Sequence, residues 1–302
     1  MKIGLVLSGG GARGFAHIGV LKVLKEHNIP IDYIAGCSAG ALVGACYAYN
    51  QDIEALEKLV ANIKNIYDIF DFSLSRTGLA KGDKVQQFVL EYLKKEEQKQ
   101  KIENKKHSER IKENIMQYFR QRKKETGKNQ KKEYCFEDLH IPLYVNATDV
   151  VAGKEVVFSK GPLMPAIMAS IAYPGIFRAK KYEEKILVDG GVINPLPFKL
   201  IEDKVDYLIL VNVSQAGVEI SAKSGFKDIF LKAVSIGQEK IIEHELHHKQ
   251  KPSRMIEPDI TNATIIDFTD VKDIMAAGEK ATKAQIAAIQ GDIAQLSSPK
   301  DL

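Results

Sequence analysis

Residues 36–40 read Gly-Cys-Ser-Ala-Gly, a G-x-S-x-G pattern set between an apolar β-rich run and a helical run of small residues. That context is a nucleophile elbow, a turn so sharp that only glycine fits two residues either side of the serine, at Gly36 and Gly40. The turn lifts the Ser38 hydroxyl to the C-terminal end of the strand, beside a helix N-terminus that favours developing negative charge. The chemistry that fits is acyl transfer through a serine ester. Cys37, one residue earlier, is expected to point away from Ser38 and is not the nucleophile.

Two further groups complete such a site. Ser8-Gly9-Gly10-Gly11-Ala12-Arg13-Gly14 closes the first apolar run and opens a helix, and consecutive glycines there expose N–H groups that cradle a phosphate or a tetrahedral oxyanion. Gly9, Gly11 and Gly14 satisfy G-x-G-x-x-G, but no acidic residue closes the next strand and no G-x-x-x-x-G-K-[ST] follows, so a nucleotide is the poorer reading. The economical one is an oxyanion hole of Gly9, Gly10 and Gly11, with Arg13 positioning the loop or adding positive charge. The third group is Asp189-Gly190-Gly191 at the end of another apolar run. Most Asp-Gly pairs only form turns. Here a base is needed, and the seven histidines offer none that is evident: His17 lies inside the first helix, His27 at its end, His107 in a charged segment and His140 before a strand.

The elements that must position these groups alternate. Hydrophobic patterning predicts strands at 2–8, 33–37, 142–150, 155–159, 185–189, 207–214 and 263–268. It predicts helices at 15–27, 38–50, 52–63, 81–94, 165–172, 226–249 and 271–290, with 195–202 a further candidate. The fold class is therefore α/β, helices lying on both faces of a mostly parallel central sheet in one domain over 1–302. Gly19 and Gly44, each inside a helix, are expected to allow close packing against that sheet.

Composition bounds the setting. The 302 residues are 45% hydrophobic and 27% charged, ordinary for a soluble globular chain. Three cysteines without a C-x-x-C pair argue for free thiols in a reducing compartment. The apolar stretch after Lys2 is too short for a secretory signal, and no run approaches the roughly 18 apolar residues of a membrane span, so a cytoplasmic protein is expected. The net charge of +4 conceals a local excess: residues 94–133 hold 15 Lys/Arg against 7 Asp/Glu, which leaves the remainder acidic. That basic insertion carries Ile111, Ile115, Tyr118 and Phe119 at helical spacing and reads as a solvated insertion, or as a lid or docking segment for an anionic membrane. Nucleic acid is not expected, because no second basic patch or aromatic series accompanies it.

His244-Glu245-Leu246-His247-His248 matches the H-E-x-x-H of zinc peptidases. Phe230, Val234, Gly237 and Ile241 lead into it at helical spacing, which reads as a packing stripe, and no third ligand is obvious, Glu257 or Glu279 being the ones to propose. No metal is expected.

Together these residues resemble the patatin-like phospholipase family, especially its bacterial members and the related neuropathy-target-esterase catalytic domain. The resemblance is carried by GGGARGFAHIGVLKVLKE, GCSAGALVGACYA, ASIAYPGIF and DGGVINPLP. It implies a three-layer α/β sandwich related to the α/β-hydrolases, with Ser38 as nucleophile, Asp189 as its base and the loop of Gly9, Gly10, Gly11 and Arg13 at the oxyanion. Gly36, Gly40, Gly190 and Gly191 would support the two turns. No cofactor is implied, and the substrate would be a phospholipid or lysophospholipid. An acyltransferase using the same acyl-enzyme, or a catalytically dead membrane scaffold, are the alternatives. Aspartate is a weak base in water, so burial must raise its pKa or its bond to Ser38 must tighten during reaction.

Overall fold

The computed structural model describes residues 1–302 apart from 62, 64, 70, 76–77, 116–132, 215–219, 222–223, 261–267, 269 and 299–302. In chain order the elements are β1 (Ile3–Leu7), α1 (Ala16–Glu26), β2 (Tyr33–Gly36), α2 (Ala39–Asn50), α3 (Ile53–Val60), α4 (Ile66–Ile69), β3 (Phe72–Ser75), β4 (Gly78–Ala80) and α5 (Asp83–Ile115). There follow β5 (Leu143–Asp149), β6 (Lys154–Phe158), α6 (Leu163–Ser170), β7 (Lys180–Tyr182), β8 (Lys185–Asp189), β9 (Tyr207–Val211), α7 (Phe226–Leu246), β10 (Ser253–Ile256) and α8 (Val271–Ser297).

Strands β10, β9, β1, β2 and β5 form a parallel run in that spatial order. Ile-Gly-Leu-Val-Leu of β1 is buried at every position, as a central parallel strand covered on both faces must be. Its side chains alternate between two cores. Ile3, Leu5 and Leu7 join Ile18, Leu21, Ala45 and Ile289 beneath α1, α2 and α8, whereas Val6 faces Leu196, Phe198, Ile201 and Ile242 on the other side. The result is three layers, with the second helical layer supplied by residues 196–205 and the C-terminal half of α7.

The sheet changes character at β5. Val145 pairs with Gly36 of β2 on one edge and Phe158 of β6 on the other, and Ala147 to Asp149 pair with both β6 and β8. Strands β2 and β8 therefore share one edge of β5 and run toward each other, β2 parallel to it and β8 antiparallel. Their ends, Gly36 and Asp189, lie opposite Val145 and Ala147, two positions apart. This head-on meeting brings two distant turns together.

Several expectations change. Residues 195–202 form no α-helix but a short 3-10 turn at Phe198–Leu200, because the Pro197 ring disfavours the helical conformation at the preceding Leu196. Helix α5 continues past 94 to Ile115, well into the basic insertion, whose residues 116–132 lie outside the described residues. The expected strand at 263–268 falls almost wholly outside them too. Strands β3, β4, β7 and β10 are three- and four-residue elements too short for periodicity to reveal. Gly44 does face the sheet, near Ile34, Leu143 and Leu7. Gly19 instead faces α8: a Cβ there would lie 2.0 Å from the Met275 carbonyl oxygen, and one on Gly278 would lie 2.1 Å from that of Ala16. The two glycines let α1 and α8 cross backbone to backbone.

Candidate active site

Ser38 sits between β2 and α2 with φ 51° and ψ −119°, in a region that L residues avoid, at a cost of order 1–3 kcal/mol. The surroundings enforce it. A Cβ on Gly40 would lie 2.2 Å from the Leu7 carbonyl oxygen, and one on Gly36 would lie 2.7 Å from the Ala41 nitrogen. The crowding is thus against the end of β1 and the first turn of α2. The N–H of Ser38 donates to Ser170 Oγ at 2.8 Å, which ties the turn to the end of α6.

Asp189, at the end of β8, meets it directly. Ser38 Oγ donates to Asp189 Oδ2 at 2.5 Å, and the N–H of Gly191 donates to Oδ1 at 2.7 Å. The Cys37 thiol reaches the same Oδ1 at 3.8 Å. Burial raises the Asp189 pKa to about 6, against the opposing pull of the donors from Ser38, Gly191 and Cys37. Cys37 is wholly buried, and that burial holds its thiol well above its usual range, which leaves it protonated at neutral pH.

The Asp189 turn is held from other strands. Thr148 Oγ1 donates to the Asp189 carbonyl oxygen at 2.9 Å. Asn146 Nδ2 donates to Glu155 and to the carbonyl of Asn194, Asn194 Nδ2 donates to the same Glu155 oxygen, and Gln238 Nε2 donates to the carbonyl of Gly191. Gly190 packs so closely on Asn146 that a Cβ would lie 2.3 Å from its Oδ1. Sequence reasoning missed Ser170, Thr148, Asn146, Glu155 and Gln238. Only Ser170 carried a signal, within the ASIAYPGIF segment.

The glycine loop lies beside the dyad but is not uniform. The N–H of Gly9 is spent on the Pro195 carbonyl at 3.1 Å, which removes it from the expected set of oxyanion donors. Those of Gly10 and Gly11 have no acceptor among the described residues. Arg13 is buried, with its Nε donating to the Gly10 carbonyl and an Nη to that of Ser214, and burial lowers its pKa to about 10. It remains charged at neutral pH and fastens the loop to the segment after β9. His17 is equally buried, makes its Nε2 contact with the Ser8 carbonyl at 2.9 Å, and has its pKa lowered by burial to about 4, so it braces the loop as a neutral ring. Among the described residues no three His, Cys, Asp or Glu side chains cluster to hold a metal. His244, in the last turn of α7, and His248, in the turn just past its end, both lie exposed, and the packing stripe expected through Phe230 and Gly237 runs instead through Leu231, Ser235 and Ile242.

A cavity of about 130 Å³ opens over Ser38 and Asp189. Its walls are overwhelmingly apolar, with Leu42, Val43, Val85, Phe88 and Ile176 among them, and Gly10, Gly11 and Ala39 at the reacting end. Such a site suits an ester whose acyl part is a hydrocarbon chain.

The chain has known relatives in sequence and in fold. An uncharacterised NTE family protein of Mycobacterium tuberculosis is 32% identical over 220 residues, covering 72% of this chain and 51% of that protein. The lysophospholipase NTE1 of Kluyveromyces lactis is 27% identical over 200 residues, 65% of this chain and 11% of that protein. This chain spans about half the length of the mycobacterial relatives it matches. VipD of Legionella pneumophila has the same fold, with a TM-score of 0.58 at 18% identity, over 95% of this chain and 67% of that one. Residues 5–201 match the patatin-like phospholipase family model. That span begins in β1, carries the glycine loop and the elbow, and takes in the Asp189 turn, and by it the chain belongs to the patatin-like phospholipase family.

Proposed function

We propose that the protein hydrolyses fatty-acyl esters of phospholipids or lysophospholipids through an acyl-enzyme on Ser38. The observation that carries this reading is the 2.5 Å hydrogen bond from Ser38 Oγ to a buried Asp189 at one end of an apolar cavity. Asp189 is ionised above about pH 6 and accepts the hydroxyl proton as Ser38 Oγ attacks the ester carbonyl. The tetrahedral oxyanion is met by the N–H groups of Gly10 and Gly11 and by the start of α2 at Ala39. Asp189 then returns the proton to the departing alcohol. In the second half a water, deprotonated by the same carboxylate, attacks the acyl-enzyme, and Asp189 passes that proton to the departing Ser38 Oγ as the fatty acid is released. Every proton is handled by residues of this chain, with no imidazole and no metal in the scheme.

The acyl chain fits the apolar walls, and the similarity to a protein named lysophospholipase supports lipid esters over peptide or carbohydrate esters. The basic charge of 94–133 favours peripheral attachment to an anionic lipid surface. Among the described residues no helix is long and apolar enough to cross a membrane. The test is fatty-acid release from lysophosphatidylcholine by wild type, Ser38→Ala and Asp189→Asn, together with labelling by a fluorophosphonate. Release by wild type alone, with label on Ser38, supports the scheme. Equal release by the Ser38→Ala protein overturns it.

A further inference from the structure

Helix α7 has an outward face that the hydrolytic scheme leaves unused. Its inward residues Leu231, Ser235 and Gln238 line the cavity, and Gln238 also braces the turn after Asp189. Outward, Phe226 is 84% exposed, Ile229 54%, Ile236 47% and Phe230 37%, and Ile220 just ahead of the helix is 48% exposed. Of thirteen large apolar side chains exposed among the described residues, five fall within these 17 positions, including both phenylalanines. That concentration marks a contact surface, because scattered exposure of single apolar residues is what a surface without a partner shows. The Phe226 and Phe230 rings stack at 6.1 Å, making one plate.

The plate lies at the lip of the cavity. A Cβ on Gly175 would lie 3.8 Å from the Phe230 ring, and Gly175 belongs to the loop whose Tyr173, Ile176 and Phe177 line the cavity. The cavity wall formed by Ile69 belongs to α4, where Tyr67 is 66% exposed. Charge separates the two halves of α7. Residues 220–237 hold Lys223, Lys227 and Lys232 against Asp228 alone, while 238–246 hold Glu239, Glu243 and Glu245 against Lys240. An apolar, aromatic face on a segment whose sequence is net basic suits an interface rich in anionic headgroups.

We propose that the N-terminal half of α7 is an interfacial plate that seats Phe226, Ile229, Phe230 and Ile236 in the headgroup boundary of an anionic bilayer, so that the cavity mouth opens onto lipid. An acyl chain then moves from bilayer to cavity without crossing water. The proposal rests on the lipid-ester reading for its purpose, yet vesicle binding reads it independently of catalysis. Basic charge from 94–133 would add long-range attraction, and α7 the apolar grip.

The test uses the full chain carrying Ser38→Ala, so that lipid is not consumed, with and without Phe226→Ser and Ile229→Ser. Co-sedimentation with vesicles of phosphatidylcholine and phosphatidylglycerol is expected to weaken about tenfold or more in the serine variant. In the active background the same two substitutions leave hydrolysis of a short soluble ester unchanged, which shows an intact fold and site. Unchanged vesicle binding by the variant overturns the plate, as does a wild type that ignores vesicles while hydrolysing the soluble ester. A wild-type dimer that Phe226→Ser dissolves, without effect on vesicle binding, assigns the face to a second copy and also overturns it. Loss of ester hydrolysis by wild type itself would strike the hydrolase reading instead.

Discussion

The Ser38 turn and the Asp189 turn reach the same point by different means. Around Ser38 the chain is forced by its own neighbours: Gly36 and Gly40 admit a backbone path that no side chain would allow, and the serine sits at φ 51°. Around Asp189 the backbone is relaxed, at φ −47° and ψ 135°, and the turn is anchored by partners 39 to 48 positions away in sequence. The nucleophile is placed by local geometry, the base by tertiary contacts. Each carries a distinct cost, backbone strain in one case and a buried charge in the other.

The comparison breaks at once if the two residues do not act as a unit. Ser38→Ala and Asp189→Asn should each lower kcat/KM on a lipid ester by about 10⁴-fold, and the double variant should be no worse than either. Additive losses would mean separate roles. Next in size is a pair of glycine substitutions read by thermal unfolding. Gly40→Ala sets a methyl 2.2 Å from a backbone oxygen and should destabilise by about 3 kcal/mol, whereas Gly191→Ala meets the movable amide of Gln238 at 2.7 Å and should cost about 1 kcal/mol. Equal effects would remove the distinction between a local and a tertiary turn.

That distinction also decides what the sequence reveals. The elbow is legible because its geometry needs glycine at two fixed offsets from a serine, and the glycine loop for a similar reason. Asp189 is legible only as an aspartate closing an apolar run before two glycines. Its supports, Thr148 and Asn146 on β5 and Gln238 on α7, are single polar residues whose meaning exists only once β8 lies antiparallel against β5. The parallel half of the sheet follows from helix–strand alternation, but the antiparallel half rests on β7, too short to announce itself, and on a fork at β5. The spent N–H of Gly9 is of the same kind: Pro195 is 186 residues away and its carbonyl has no signature. The exposed histidines at and just past the end of α7 mislead for the converse reason, since a four-residue spacing fits a packing stripe and a solvated face alike.

The buried charge gives the next prediction. The folded pKa of Asp189 is about 6, above its ordinary 3.8, so the native state holds the proton more tightly than the unfolded chain does. Stability contributed by this group therefore falls as pH rises from about 4 to about 6 and stays low above that. The gap corresponds to up to about 3 kcal/mol at neutral pH. Asp189→Asn keeps an oxygen for the Gly191 N–H but cannot ionise. Denaturant unfolding should find it more stable than wild type at pH 8 and nearly equal at pH 4. Activity runs the other way, rising in wild type through about pH 6 as the carboxylate forms. A variant less stable than wild type at both pH values would show that Asp189 holds the fold rather than burdens it.

The strain at Ser38 is the smaller cost and gives the finest test. Ser38→Ala retains a Cβ and hence the unfavourable φ 51°, while Ser38→Gly relieves it. Both lose the bond to Asp189, so their difference isolates the backbone. Glycine also loosens the unfolded chain, which subtracts up to about 1 kcal/mol from the gain. The net expectation is that Ser38→Gly unfolds at a stability about 1 kcal/mol above Ser38→Ala, at pH 4 and at pH 8 alike, because no titrating group takes part in the difference. The Asp189→Asn gain depends on pH and the Ser38→Gly gain does not, and that contrast separates the two ways of positioning a reactive group. If alanine and glycine at position 38 proved equally stable, the turn would be held by its hydrogen bonds to Ser170 and Asp189 alone, and the distinction between a strained nucleophile and a relaxed base would be lost.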